Sequence, residues 1–221
     1  MDTESEKRIT PEIGPDPEIS RIYKAVQSGE MSIEEFADLY DAGGLVEGCL
    51  KIDAFERRVS HYLENGVTGS LIAIDVDDFK RFNDQNPEGH LGGDDLLRLI
   101  GKIIHKSFRT KEVQEDTKER RQGTSQEKDL LARAGDEFVA YLVDADEYQA
   151  KIASKRMWTE LVSTVKEQFP GYKYDQTMSI GVSRTRPGDN IKNLRGRADL
   201  ALYDAKKGKG TGNPSDAISI N

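Results

Sequence analysis

Apolar positions along this chain follow two rhythms. In CLKIDAFERRVSHYLENG, residues Leu50, Phe55, Val59 and Leu63 recur at helical spacing before Asn65 and Gly66, which predicts a helix with one buried stripe. From Ser70 to Ile74 the pattern becomes a short, nearly continuous apolar run, as expected of a strand buried on both faces. That run ends in three carboxylates, Asp75, Asp77 and Asp78. After a loop, Leu96, Leu97, Ile100, Ile103, Ile104 and Phe108 share a stripe and predict a second helix. Asp94 and Asp95 fall in its first turn, where the helix dipole favours negative charge.

The stretch LLARAGDEFVAYL, Leu130 to Leu142, sets Gly135, Asp136 and Glu137 between two apolar runs and predicts a hairpin with an acidic tip. A helix is expected over roughly 145–168, a strand at TMSIGVS and a last helix at NLRGRADLALYDAKK. The order after residue 68 is strand, helix, strand, turn, strand, helix, strand, helix. This order points to an α+β, ferredoxin-like (split βαβ, palm-type) antiparallel sheet flanked by helices.

The flanks read differently. Residues 1–18 are polar and hold Pro11, Pro15 and Pro17, the composition of a flexible lead-in. EISRIYKAVQ and SIEEFADLY predict two short helices, the second with a Ser32–Glu35 capping box, and DAGG ends it. Residues 1–44 are therefore taken as an N-terminal extension and 45–213 as the main domain. Within that domain, residues 109–128 carry mixed charge and almost no apolar side chains, so they read as an exposed insertion. Residues 214–221 have the composition of a loose tail.

Charge narrows the function. A formal net charge of -8 on 221 residues argues against a protein that coats nucleic acid, which would need a basic face. It leaves room for a small anion held by a few lysines and metal ions. No run is long enough for a membrane span, and the start lacks a basic region followed by an apolar core. The single cysteine, Cys49, excludes an internal disulfide framework and fits a reducing compartment. The expected location is cytoplasmic.

Two places put acids within reach of chemistry: Asp75, Asp77 and Asp78 at a strand end, and Asp136 and Glu137 at a hairpin tip. Either cluster alone is as readily a plain strand end or turn. In a split βαβ sheet the two strands are neighbours, so the clusters can meet at one edge. Converging carboxylates bind hard divalent cations such as Mg²⁺ with waters to spare. Two such ions about 4 Å apart would polarise a phosphate and activate an attacking hydroxyl. Lys80, just beyond the first acids, could meet a phosphate as a point charge.

LIAIDVDDFKRFND, GHLGGDDLL, AGDEF, MSIGVS and ADLALYDAKKGKG stand in the order found in GGDEF diguanylate cyclases. The chain resembles that family over about residues 45–213. The resemblance implies a GGDEF domain that condenses two GTP into cyclic di-GMP and two pyrophosphates as a homodimer. It implies two Mg²⁺ per active site, with Mn²⁺ as a substitute. Asp75 resembles a metal ligand, with the Val76 carbonyl also facing the metal, and Asp136 resembles the ligand shared by both ions. Glu137 resembles the catalytic acid, either as a metal ligand or as the group that helps deprotonate the 3′-hydroxyl. Asp78, Phe79 and Lys80 resemble the phosphate cradle, with Gly135 beside the substrate. Asn83 and Asp94 resemble the guanine readers, and Lys206 the lysine that reaches the terminal phosphate. A carboxylate such as Asp94 can accept from the N1–H and N2–H₂ groups of guanine, donors that adenine lacks at that edge.

The match has departures. Ala134 replaces the first glycine of the signature, and the loop between Asn83 and Gly89 is two residues longer than the family's usual spacing. Lys209 stands one residue before the family's phosphate-binding arginine and is the candidate for its role. Gln126 replaces the arginine of the inhibitory Arg-x-x-Asp product site, although Asp129 is present, so feedback through that site is expected to be absent. The rival reading is a GGDEF module that binds GTP or a cyclic dinucleotide without condensing it and signals by contact. Retention of Asp75, Asp136 and Glu137 favours the enzyme. The sequence does not identify an upstream sensor or other partner.

Overall fold

The structure is a computed structural model that describes residues 44–86, 89–108, 128–208 and 213–221, together with Ser28. The chain divides into two units, Met1–Ala42 and Gly43–Asn221, and every element below belongs to the second. The helices expected before residue 41, and the insertion apart from Lys128, lie outside the described residues.

The elements are α1 (Ile52–Glu64), β1 (Gly69–Val76), α2 (Phe79–Gln85), α3 (His90–Ser107), β2 (Leu130–Ala134), β3 (Glu137–Val143), α4 (Glu147–Gln168), β4 (Met178–Arg184), α5 (Ile191–Lys207) and β5 (Ile218–Ile220). The sheet order is β2-β3-β1-β4-β5. Strand β1 runs antiparallel to β3 and β4, and β2 antiparallel to β3, which is the split βαβ arrangement.

The apolar run of β1 has a direct cause. Ile72, Ile74 and Val76 enter one core with residues of α3 and α4, while Leu71 and Ala73 enter a second core with α1 and α5. Successive side chains of a strand point to opposite faces, so a strand covered on both sides must be apolar throughout. Trp158 joins the first core, as its helical stripe suggests. Burial pushes the Cys49 thiol up to about 12, so it packs as a small apolar residue. No helix among the described residues is long and apolar enough to cross a membrane.

The structure corrects four details. The loop after β1 contains α2, whose single buried residue, Phe82, gives no helical period to detect. Helix α3 starts at His90, with Gly89 at φ 55 before it, so Asp94 and Asp95 lie beyond the first turn. Leu50 precedes α1 and bridges to Ala132, extending the sheet beside β2. The supposed loose tail adds β5 parallel to β4, because the short apolar segment around Ala217 and Ile218 finds an open strand edge and is buried there.

Candidate active site

Register brings the two acid clusters together. Asp75 is the direct partner of Glu137 across β1 and β3, and of Ser179 across β1 and β4. Directly opposed residues project to the same side of a sheet, with Cβ atoms about 5 Å apart. The Val76 N–H donates to the Asp136 carbonyl at 3.3 Å, which ties the end of β1 to the hairpin tip. Asp75 and Asp136 are half-buried and Glu137 is exposed.

The tip turns on Gly135, whose φ of +64 lies in the left-handed region. Ala134 ends β2, and among the described non-glycine residues only Asp78 and Asp144 have positive φ. The alanine at the first signature position therefore costs no backbone strain. The Arg133 guanidinium donates to the Gly135 carbonyl and braces the turn. Sequence reading passed over Arg133; its signal was a lone charge inside the apolar run LLARA.

Lys206 extends from the last turn of α5 and places Nζ 3.0 Å from Asp75 Oδ1. Its position joins α5 to the acid edge and shows that Asp75 can hold a cation. The phosphate contact assigned to Lys206 therefore requires it to exchange partners. Lys209 and Gln126 lie outside the described residues. Asp129 accepts from the Val143 N–H at 2.8 Å and so secures the end of β3.

The three acids at the end of β1 differ in their surroundings. Asp77 is 4% exposed and its carboxylate accepts from Thr177 Oγ1 at 2.6 Å and Ser179 Oγ at 2.8 Å. It faces β4, which removes it from the acid cluster expected at this strand end. Asp78 adopts φ 53 just before α2 and lies 3.4 Å from Arg81. Phe79 opens α2, and Lys80 beside it is exposed. The first N–H groups of any helix lack partners within it, so this turn presents donors suited to phosphate.

Asn83 on α2 faces α3 where the glycines lie. A Cβ at Gly93 would sit 1.8 Å from Asn83 Oδ1, and one at Gly92 would sit 2.4 Å from Asn86 Nδ2. The glycine pair thus lets α2 pack close. Asn83 Oδ1 is buried without a hydrogen-bond partner, and Asp94 is half-buried one residue past Gly93. An orphaned acceptor of this kind fits a donor supplied by a ligand.

Among the described residues, no three His, Cys, Asp or Glu side chains form a ready-made metal cluster. Magnesium is commonly held by one or two carboxylates together with substrate phosphates and water rather than by a protein cage. The all-oxygen donor set and the cation already on Asp75 fit such an ion. Clefts of about 500 and 640 Å³ border Arg98 and Lys102 on α3 but are lined by none of the three acids. The acid edge is identified by its chemistry rather than by concavity.

The chain matches the family model described as "Diguanylate cyclase, GGDEF domain" over residues 53–123 and 116–211. Diguanylate cyclase DosC of Escherichia coli K12 is 27% identical over 153 residues, covering 69% of this chain and 29% of DosC. Diguanylate cyclase VdcA of Vibrio cholerae is 32% identical over 160 residues, covering 69% of this chain and 40% of VdcA. The chain thus spans well under half the length of these relatives. The crystal structure of the coiled coil and GGDEF domain of DgcB from Caulobacter crescentus, in complex with c-di-GMP, superposes with a TM-score of 0.66 at 22% identity, covering 92% of this chain and 97% of that one. With its acid edge, hairpin signature and fold in agreement, the chain belongs to the GGDEF diguanylate cyclase family.

Proposed function

We propose that this chain is a diguanylate cyclase that condenses two GTP molecules into cyclic di-GMP with release of two pyrophosphates. The observation that carries the reading is the pairing of Asp75 with Glu137 beside Asp136 at one sheet edge. Asp75, the Val76 carbonyl and Asp136 would hold Mg²⁺, with Glu137 either completing the set or taking the 3′-hydroxyl proton. Bound metal would neutralise phosphate charge and favour the deprotonated hydroxyl. In each of two attacks, a 3′-oxygen forms a bond to an α-phosphorus, the α–β phosphate bond breaks, and pyrophosphate leaves.

The remaining residues bind and orient. The backbone at Asp78, Phe79 and Gly135, with Lys80, faces the phosphates, and Lys206 leaves Asp75 to meet the terminal phosphate with Lys209. Asn83 and Asp94 read guanine. One chain holds one GTP, so ring closure needs a second copy facing the first, and the exposure of Glu137 suits that approach. Presence of all three acids favours this reading over a module that only binds GTP.

Three tests bear on this reading. At protein concentrations low enough for the chain to be largely monomeric by sedimentation, initial rates at fixed GTP are expected to rise more steeply than protein concentration, and ATP is expected not to be converted. A rate strictly proportional to protein over that monomeric range would contradict the homodimer, and equal turnover of ATP would contradict guanine reading. Gly93→Ala is expected to displace Asn83, because the new methyl would overlap Oδ1. Loss of that contact should raise KM for GTP roughly tenfold, the effect of about 1.4 kcal/mol, with a smaller change in kcat. An unchanged KM in steady-state kinetics would remove Asn83 from the guanine site.

A further inference from the structure

We propose that Asp77 is a positioning residue for this site: it clamps the turn bearing Asp75, Val76 and Asp78 onto the start of β4. The proposal rests on the cyclase reading, in which that turn holds metal and phosphate. Asp77 has the same side chain as Asp75 and Asp78, yet it alone of the three is buried, with its carboxylate bonded to the start of β4. It is 4% exposed, beside Gln176 and Ser179, which are buried at 1% and 0%.

Both main-chain groups and both carboxylate oxygens of Asp77 engage one short segment. Its N–H donates to the Thr177 carbonyl at 3.0 Å, and its carbonyl accepts from Gln176 Nε2. Oδ1 accepts from Ser179 Oγ at 2.8 Å and Oδ2 from Thr177 Oγ1 at 2.6 Å. Hydrogen bonds to an ionised acceptor are shorter and stronger than neutral ones. Ser179 is also the cross-strand partner of Asp75. The clamp therefore fixes the strand end carrying Asp75 against the start of β4.

Its second effect falls on Asp78. The φ of 53 there is unusual for a non-glycine residue and persists only where surroundings impose it. Asp77 lies between that residue and Val76, so its four bonds set the path of the turn. An amide in place of the carboxylate would keep the shape but present an NH₂ group to one of the two hydroxyls, which would have to turn round and accept. Outer partners that orient metal ligands typically affect metal affinity or activity by roughly 10–100-fold.

The test compares Asp77→Asn with Val59→Ala, a core variant on α1, in the full chain. Binding of Mn²⁺ with a non-hydrolysable GTP analogue is followed by electron paramagnetic resonance, thermal unfolding is recorded, and amide hydrogen exchange is read over residues 75–79. Asp77→Asn is expected to weaken Mn²⁺–analogue binding roughly tenfold and to speed exchange across the turn. Val59→Ala is expected to lower Tm at least as much while changing neither readout. Thr177→Val and Ser179→Ala should shift both readouts in the same direction by less.

Wild-type binding and exchange in Asp77→Asn, or equal shifts in Val59→Ala, would overturn the proposal. A wild type that binds the metal–nucleotide pair but makes no cyclic di-GMP would end the cyclase reading and leave the Asp77 comparison intact. A wild type that binds no metal–nucleotide pair would overturn both.

Discussion

Asp75→Asn is expected to lower cyclic di-GMP formation by roughly a thousandfold, because a metal ion's contribution to the transition state is several kcal/mol and each 1.36 kcal/mol is tenfold in rate. The amide keeps the size of the carboxylate but loses the charge that would hold the ion. Stability should barely change. The partner seen for Asp75 is Lys206, whose side chain is 41% exposed, and pairs of this kind contribute at most about 1 kcal/mol. Thermal unfolding beside a product-resolved rate separates the two effects. A variant that keeps more than about a tenth of wild-type turnover has lost too little for a metal ligand, by the same scale.

The largest stability effect is expected at Gly181. This residue of β4 lies against α5 so closely that a Cβ would stand 2.2 Å from the Ala198 carbonyl oxygen and 2.3 Å from the Leu202 nitrogen. Both obstacles are backbone, so no side-chain rotation relieves them. Gly181→Ala must push α5 from the sheet, at a cost of about 3 kcal/mol, the upper part of the range for overpacking. For a chain of this size that is a fall in Tm of about 6–12 °C. Activity should fall with it, since α5 carries Lys206. Gly196→Ala is the contrast: it lies on the same helix with nothing within 4 Å, and should stabilise by up to about 1 kcal/mol through helix propensity alone. Equal melting temperatures for the two variants would show that the β4–α5 contact is not as close as described.

The sequence makes the centre of this fold plain because the centre obeys simple periods. Strand β1 is apolar on both faces since helices cover both, and the acidic hairpin stands out because GDE interrupts two apolar runs. Short elements escape notice for the opposite reason. Helix α2 buries only Phe82, and β5 has three residues, so neither completes a recognisable period. The start of α3 is masked by the Gly92–Gly93 pair, poor helix formers retained where α2 approaches.

The candidate site was legible in its acids and less so in its supports. Residue type alone cannot separate Asp77 from Asp75, since the difference lies in burial and partners: Asp77 is buried with its carboxylate on Thr177 and Ser179, whereas Asp75 is half-buried, meets Glu137 across the strands and holds Lys206. Arg133 and the Lys206–Asp75 contact depend on long-range packing that no local pattern encodes. The proposed metal and nucleotide roles rest on ordered motifs, and the register brings the strand-end and hairpin motifs to one sheet edge.

The central claim is that the acids at this sheet edge turn GTP into cyclic di-GMP. The most direct measurement incubates the protein with GTP and Mg²⁺ and resolves the nucleotides by chromatography, beside a chain carrying Asp136→Asn and Glu137→Gln. The account predicts cyclic di-GMP with two pyrophosphates per product from the wild type and no product from the double variant. GTP that binds yet stays intact across a wide range of protein concentrations would contradict it.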